Sequence, residues 1–233
     1  IEHALDMVKN GADIIDIGGE STRPFSDPVS LDEELSRVIP VIEGIRKKSD
    51  VCISIDTTKS VVASKALQVG ASIINDVSAM EVDPLMADVA IQFNCPLIIM
   101  HMKGTPKNMQ DNPKYESLVS DIKDYLVSRI DFALSKGVEQ KKIIIDPGIG
   151  FGKTVENNFE IINNLNHFVE LNFPVLLGAS RKSFIGVSLN LPEKDRLEGS
   201  LAANVIGLQQ GVKIFRVHDV SETNKALLIA NKI

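Results

Sequence analysis

Cysteine is scarce in this sequence, and long basic or apolar runs are absent from it. The two cysteines among 233 residues, Cys52 and Cys95, are too few for a disulfide framework or a Cys-rich metal site. Each is followed by an apolar residue, Ile53 or Pro96, and we expect buried thiols in a reducing compartment. No stretch approaches the roughly 18 to 20 apolar residues that span a bilayer, and residues 1–10 lack the features of a signal peptide. The sequence therefore predicts a soluble, cytoplasmic protein that does not bind membranes.

The charge balance is mildly acidic. With 25 Lys plus Arg against 31 Asp plus Glu, the formal net charge is −6, and no segment is rich in Lys or Arg. A protein that binds nucleic acid through its phosphates needs a basic patch or tail. We therefore expect no nucleic-acid partner, and any cationic site must be local. At 44% hydrophobic and 24% charged residues, the composition is that of an ordinary globular protein.

One unit repeats along the chain: a short run rich in Ile, Val and Leu, then a polar loop, then a stretch with helical periodicity. Such continuous apolar runs are typical of parallel strands covered on both faces. The alternation shows no linker, so it predicts one α/β domain over residues 1–233. The seven predicted strands are 13–18, 51–56, 72–77, 96–100, 142–146, 174–178 and 213–217.

Seven strands fit either an open doubly wound sheet or a barrel that lacks one strand. Residues 1–10 have the pattern of the end of an amphipathic helix, and Gly11 closes it. In a strict alternation, a helix follows a strand. We therefore expect a (β/α)₈ TIM barrel whose first strand and loop are absent from this chain, so that the domain is incomplete at its N-terminus.

Polar residues lie at or just after the end of every predicted strand. A single one would mean little, because Asp and Asn are common helix caps at this position. Their presence at all seven strand ends favours a functional site, since the strand ends of a barrel converge on the face that carries the active site. These residues are Asp16, Asp56, Asn75, Asp76, His101, Asp146, Arg181, Lys182, Arg216 and His218.

The segment 146–154 ends in the Gly-Lys-Thr sequence of a phosphate-binding P-loop. Pro147 stands where that motif needs its first glycine, and proline removes a backbone donor there. The pattern therefore favours a different loop, in which Asp146 faces a cavity and Phe151 lies over a flat ligand. The alternative is that Asp146 caps the following helix.

Three further segments indicate anion binding. Gly18 and Gly19 precede a loop on which Arg23 could bind an anion, although a plain turn with a solvated Arg fits equally well. Residues 178–183 are not a nucleophile elbow, because Lys182 replaces the second glycine of that motif. Arg216 and His218 share one face of the last strand, where an anionic partner would explain the Arg. His218 alone could equally be structural.

Taken in order, these motifs resemble those of the dihydropteroate synthase family. The resemblance extends from Gly11 to about Ala226 and rests on the segments 16–24, 55–57, 74–76, 100–102, 146–148, 180–182 and 216–218. It implies a (β/α)₈ barrel and a transferase of folate biosynthesis. Such an enzyme joins a dihydropterin pyrophosphate to 4-aminobenzoate, releases pyrophosphate, uses Mg²⁺, acts as a homodimer and belongs to the target class of sulfonamides.

The resemblance also implies roles for individual residues. Asp56, Asn75, Asp146, Phe151 and Lys182 would bind the pterin, while Arg216 and His218 would bind the pyrophosphate. Ser183 and the loop residues Thr22, Arg23 and Pro24 would serve 4-aminobenzoate. The catalytic residues would be Asp56, Asp146, Lys182 and Arg216. The family's metal-binding Asn belongs to the first loop, which is absent here, so no metal ligand is named.

Two other functions fit parts of the pattern. A pterin-binding methyltransferase of corrinoid systems would share the barrel and the pterin-facing Asp and Asn, but its substrate carries no pyrophosphate, so Arg23, Lys182, Arg216 and His218 favour the synthase. A catalytically inactive pterin-binding module would result if the first strand were truly missing. One departure concerns the loop, where Phe25 stands in place of the Gly found in many family members.

Overall fold

The computed structural model describes residues 1–23 and 26–233. Pro24, predicted to belong to the 4-aminobenzoate loop, and Phe25 lie outside the described residues. The chain divides into two compact units. The first unit comprises Ile1–Met100 and Ser128–Ile143, and the second comprises His101–Val127 and Ile144–Ile233. The assignment of one domain to residues 1–233 stays a prediction.

Strands and helices alternate along the chain as predicted. Each of the seven apolar runs contains a strand, although the last two strands are only two residues long. The strands are β1 (Ile14–Gly18), β2 (Cys52–Asp56), β3 (Ile73–Asp76), β4 (Leu97–Met100), β5 (Ile143–Asp146), β6 (Leu176–Leu177) and β7 (Ile214–Phe215). The helices are α1 (Glu2–Lys9), α2 (Leu31–Arg46), α3 (Ser60–Gln68), α4 (Met86–Gln92), α5 (Leu118–Lys136), α6 (Val155–Asn163), α7 (Asn166–Val169), α8 (Ser183–Leu189), α9 (Leu197–Gln209) and α10 (Val220–Ala230).

In the first unit, strands β1 to β4 lie side by side in parallel. Their apolar side chains form the core, and Ile53, Ile55 and Ile74 are fully buried. The register pairs Asp56 with Gly18 on one neighbouring strand and with Asn75 on the other. The sheet thus sets the polar strand ends next to one another.

In the second unit, β5, β6 and β7 follow one another in a parallel arrangement. Ile145 bridges to Val175, just before β6, and Leu177 of β6 pairs with Phe215 of β7. Among the helices, α9 packs against α10 and α6, and α6 packs against α8. Phe168 of α7 is completely buried.

The cysteines differ in their environment. Cys95 is buried, and burial raises the pKa of its thiol to about 11. The expectation that Cys52 is buried was wrong, because this residue opens β2 at the exposed start of the strand. Within residues 1–23 and 26–233, no helix combines the length and apolar character that a membrane crossing requires.

Candidate functional site

A polar group lies on one face of the sheet in the first unit. The Ser54 hydroxyl donates a hydrogen bond of 2.5 Å to Asp16 Oδ1, and Asn75 Nδ2 donates to both carboxylate oxygens of Asp16 at 3.3–3.4 Å. Asp56 lies two residues after Ser54, on the same face of β2, and is the registered partner of Asn75. Asp56 and Asn75 are both buried. The structure therefore brings together the two pterin-binding residues predicted for this unit.

An ion-pair cluster at the base of the loop after β1 was not predicted from the sequence. Lys59 Nζ pairs with Glu20 and, at 2.6 Å, with Glu34, which is 0% exposed in the first turn of α2. Burial lowers the pKa of Lys59, but the two carboxylates outweigh it and raise that pKa above its usual value. Arg37 adds a hydrogen bond of 2.7 Å to the carbonyl oxygen of Gly19. These contacts fix the chain where the loop begins.

The described part of that loop carries two predicted residues, Thr22 and Arg23. Arg23 is exposed, in agreement with the sequence prediction, and Thr22 is half-buried. The Arg23 N–H donates to Ser21 Oγ at 3.3 Å, and the Ser26 hydroxyl donates to the Arg23 carbonyl oxygen at 2.8 Å. The guanidinium group thus lies on a segment that local hydrogen bonds shape.

Asp146 ends β5 in the second unit and is buried. Its Oδ1 accepts a hydrogen bond of 2.7 Å from the N–H of Gly148, and its main-chain oxygen accepts one of 3.0 Å from His101. Burial raises the pKa of this carboxyl group, although the Gly148 N–H and the charges of Lys182, Lys153 and Arg216 act in the opposite direction. The alternative role of helix cap was wrong, because Thr154 caps α6.

Phe151 and Lys182 meet beside the loop that follows Asp146. The Lys182 Nζ lies 4.3 Å from the centroid of the Phe151 ring, a cation–π contact. A Cβ atom on Gly150 would lie 3.1 Å from Lys182 Cδ, so glycine allows the lysine to approach closely. Gly150 also has a φ of +84°, which favours glycine.

The segment Ser180 to Ser183 follows β6 and leads into α8. Ser180 Oγ lies 3.0 Å from His218 Nδ1, and Arg181 Nε donates to Asp219 Oδ2 at 2.9 Å. Lys182 forms the N-cap of α8, and Ser183 is its first, exposed residue. The segment therefore combines two cations with the start of a helix, as the sequence predicts for an anion-binding site.

Arg216 and His218 follow β7. The Arg216 N–H donates to the carbonyl oxygen of Leu177 at 3.0 Å, which places Arg216 at the end of the β6–β7 pair. Burial lowers the pKa of His218, and the charges of Arg181 and Arg216 lower it further. An imidazole in this setting is neutral at pH 7 and takes up a proton more readily once an anion offsets the two cations.

Comparison with known proteins identifies the family. The family model described as pterin binding enzyme matches residues 1–218. A dihydropteroate synthase of Clostridium beijerinckii is 48% identical over 227 residues, which cover 97% of this chain and 82% of that protein. The chain belongs to the dihydropteroate synthases. Family membership confirms the resemblance inferred from the motifs and the assignment as a pterin-binding transferase.

Solved structures of dihydropteroate synthases extend the likeness to the fold. The Yersinia pestis enzyme in complex with a sulfonamide drug is 41% identical, with a TM-score of 0.96 over 99% of this chain and 84% of that chain. The Clostridium difficile enzyme crystallised in the presence of pteroic acid is 45% identical, with a TM-score of 0.94 over 99% and 86%. The predicted fold class, the α/β TIM barrel of this family, is thereby confirmed. The corrinoid methyltransferase alternative is set aside.

Proposed function

We propose that this chain carries out the dihydropteroate synthase reaction through the residues placed at its strand ends. The observation that supports the proposal best is the arrangement after β5 and β6, where Lys182 lies on the Phe151 ring and its charge acts on the buried Asp146. An aromatic ring with a carboxylate and a cation beside it suits a flat, nitrogen-rich heterocycle that carries a polar substituent. The Clostridium difficile relative was crystallised in the presence of pteroic acid, which supports this substrate class.

In the proposal, the pterin is bound by carboxylate, amide, aromatic and cationic side chains. Asp56 and Asp146 offer carboxylate oxygens as acceptors to the nitrogen-rich edge of the ring, and Asn75 offers its side-chain amide. Phe151 stacks on the ring, and Lys182 donates to its acceptor atoms. Each of these residues lies at a strand end or in the loop that follows it.

The leaving pyrophosphate is assigned to the cations after β7. Arg216 and His218 would neutralise the charge that develops as the bond between methylene carbon and oxygen breaks. The pterin ring can delocalise the resulting cation, so the reaction follows an SN1-like path that needs no protein nucleophile. Asp56 and Asp146 favour that cation electrostatically. The amine of 4-aminobenzoate then attacks the methylene carbon.

The acceptor amine is assigned to residues at loop positions. Ser183, at the start of α8, would donate to the carboxylate of 4-aminobenzoate, and Thr22 and Arg23 would close over it. The sulfonamide complex of the Yersinia pestis relative supports an arylamine site of this kind. Closure of the loop would exclude water from the pterin cation.

Magnesium is part of the proposal only as a partner of the pyrophosphate. Among residues 1–23 and 26–233, no group of three or more His, Cys, Asp or Glu side chains is placed to hold a metal ion. Mg²⁺ is commonly held through substrate phosphates with few protein ligands. We expect chelation by EDTA to slow pyrophosphate release and added Mg²⁺ to restore it.

We also place the enzyme in the cytoplasm as a homodimer. Its cysteines are free thiols, in keeping with a reducing compartment. Helices α8 and α10 of the second unit expose large apolar side chains, namely Val187, Leu189, Leu228 and Ile229. Exposed apolar patches mark interaction surfaces. We expect the unaltered protein to sediment as a dimer and a Val187→Glu/Leu228→Glu variant to sediment as a monomer. This result would support a dimer interface on α8 and α10.

The decisive experiment is pyrophosphate release by the full-length protein. We expect release from dihydropterin pyrophosphate that depends on 4-aminobenzoate and produces dihydropteroate. Release that ignores the amine would contradict the synthase reaction, and its complete absence would favour the inactive pterin-binding module. The Arg216→Ala variant should lose turnover while its circular dichroism spectrum stays that of the unaltered protein.

A further inference from the structure

One ammonium group joins the two ends of the segment 20–34, which connects β1 to α2. Lys59 Nζ donates a hydrogen bond to the carboxylate of Glu20, where the segment begins, and one of 2.6 Å to Oε2 of Glu34, in the first turn of α2. The segment includes both described loop residues that the proposed reaction assigns to 4-aminobenzoate. A single lysine therefore holds this substrate-binding stretch at its beginning and at its end.

The backbone around Lys59 is itself held in place. The Lys59 N–H donates to Thr57 Oγ1 at 3.2 Å, and the Thr57 N–H donates to the Asn75 carbonyl oxygen at 3.1 Å. The next N–H along the chain, that of Ser60, donates to Asp83 Oδ2 at 2.8 Å. These contacts tie the start of α3 to β3 and to the loop after β3. The ammonium group therefore extends from a fixed base and can define where its partners lie.

Glu34 is a costly residue at its position. Its side chain is 0% exposed and shares the inner face of α2 with Val38 and Ile42, where apolar residues pack. Its Oε2 binds Lys59, but its Oε1 has no hydrogen-bond partner in the part of the chain that the structure describes. Replacement of a buried ion pair by apolar side chains is often neutral or stabilising. Stability alone therefore does not explain why a carboxylate stands here.

The start of the segment 20–34 also lies directly against α2. A Cβ atom on Gly19 would lie 2.8 Å from Glu34 Cγ, so glycine lets the chain come this close to the helix. Arg37 Nη1 donates to the Gly19 carbonyl oxygen at 2.7 Å. Two cations of the first unit thus hold consecutive residues of the chain, which fixes the direction in which it leaves β1.

We propose that Lys59 is a positioning residue for 4-aminobenzoate. By binding both ends of the segment 20–34, it sets the path of that segment and thereby the places of Thr22 and Arg23. The inference rests on the proposed function, which assigns these two residues to 4-aminobenzoate. Without Lys59 the segment would have to be ordered when that substrate binds, and this ordering weakens binding. The pterin-binding residues of β2 and β3 would stay in place, so the effect is specific to one of the two substrates.

The test is steady-state kinetics of the full-length Lys59→Met/Glu34→Met variant. Methionine is unbranched like both side chains that it replaces, and removal of both charges strands neither, so we expect urea unfolding close to that of the unaltered protein. The KM for 4-aminobenzoate should rise about tenfold or more, because the segment 20–34 is no longer placed in advance. The KM for dihydropterin pyrophosphate should change by less than about twofold.

Lys65→Met is the matched control, because Lys65 is exposed on α3 and its loss removes the same charge. Both KM values should stay those of the unaltered protein. An unchanged KM for 4-aminobenzoate in the folded Lys59→Met/Glu34→Met variant would overturn the proposal. An equal rise in both KM values would also overturn it, since a lysine that merely supports the sheet would weaken the binding of both substrates alike.

Failure of the proposed function gives a different result. If the two loop residues do not serve 4-aminobenzoate, Arg23→Ala will leave the KM for this substrate unchanged. If they do serve it and the role of Lys59 alone is wrong, Arg23→Ala will raise that KM while Lys59→Met/Glu34→Met will not.

If the double variant does not fold, Glu20→Gln tests the same idea from the other end of the segment. The Glu20 side chain is 23% exposed, and the substitution leaves the pair of Lys59 with the buried Glu34 intact. We expect the KM for 4-aminobenzoate to rise about threefold and the KM for dihydropterin pyrophosphate to stay unchanged. Glu43→Gln, at an exposed position of α2, is the control. An unchanged KM for 4-aminobenzoate in Glu20→Gln would overturn the proposal.

Discussion

Ser180 Oγ contacts both the ring and the main chain of His218, at 3.0 Å from Nδ1 and 3.2 Å from the backbone nitrogen. The two residues belong to the loops that follow β6 and β7. Because the main-chain N–H of His218 donates to the same hydroxyl oxygen, the contact fixes both the rotation of the imidazole and the path of its backbone. The histidine assigned to the pyrophosphate is therefore oriented by a residue that touches no substrate in the proposed reaction.

The Ser180→Ala variant should bind and turn over the pyrophosphate ester less well. Loss of one orienting hydrogen bond costs about 1 kcal/mol, so we expect kcat/KM to fall about fivefold. Inhibition by inorganic pyrophosphate should weaken in parallel. Ser188→Ala is the control, because the Ser188 hydroxyl donates within α8, to the Phe184 carbonyl oxygen. Equal kinetics for the two variants would contradict the orienting role of Ser180.

The buried imidazole of His101 should make the protein sensitive to acid. Its pKa is about 2 in the folded protein against about 6.5 when unfolded, so between these values only the unfolded chain takes up the proton. The stability that the neutral His101 contributes to the folded protein is fully present above pH 6.5 and is lost as the pH falls from there toward 2.

Urea unfolding at pH 7 and pH 4.5 measures this effect. Between pH 7 and pH 4.5, the unaltered protein should lose free energy of unfolding. The His101→Phe variant should lose about 2 kcal/mol less over the same interval. His3→Gln, a change at an exposed position of α1, should keep the full pH dependence. An equal slope in His101→Phe would show that another group causes the acid sensitivity.

The Gly148→Ala substitution should destabilise the loop after β5. Both Gly148 and Gly137 have a positive φ, of +73° and +106°, so alanine is strained at either position. Only at Gly148 would the added Cβ meet backbone, at 1.9 Å from the His101 carbonyl oxygen, whereas at Gly137 its nearest contact is Ile91 Cδ1 at 3.6 Å. We expect losses of about 1 kcal/mol for Gly137→Ala and about 3 kcal/mol or more for Gly148→Ala in chemical unfolding. Similar losses would show that the loop can move away from His101.

The Lys59→Met substitution should leave a buried charge without its partner. Glu34 is 0% exposed and depends on Lys59 for its ion pair, so we expect a loss of about 3 kcal/mol in the free energy of unfolding. The double variant Lys59→Met/Glu34→Gln should regain part of this loss, because it removes the stranded charge. Lys141→Met, which breaks an exposed pair with Glu139, should leave the stability unchanged. If the double variant regains no stability, the unpaired charge of Glu34 is not the cause of the loss.

The strands and their polar ends could be predicted from the sequence because both follow local rules. An uninterrupted apolar run such as the three isoleucines 143–145 is typical of a buried strand. A carboxylate directly after such a run, as in Asp146, therefore lies at the carboxyl end of the strand. Family motifs then supplied the roles of Asp56, Asn75, Asp146 and Lys182, which stay predictions until they are tested by substitution.

The ion pairs and the buried lysine could not be predicted, because their partners lie far apart in sequence. Lys153 meets His101 across 52 positions, and no periodicity signals that contact. For Glu34 a signal did exist. It shares the inner face of α2 with Val38, Ile42 and Ile45, and a charged residue on an apolar face indicates a buried partner.

The backbone conformation of Arg181 restricts which changes of length this segment can accept. Arg181 has a φ of +55°, in the left-handed region, and the side chains of Ser180, Arg181 and Lys182 contact His218, Asp219 and Phe151, respectively. An insertion or deletion of one residue here would exchange every partner at once, and no single compensating substitution could restore them.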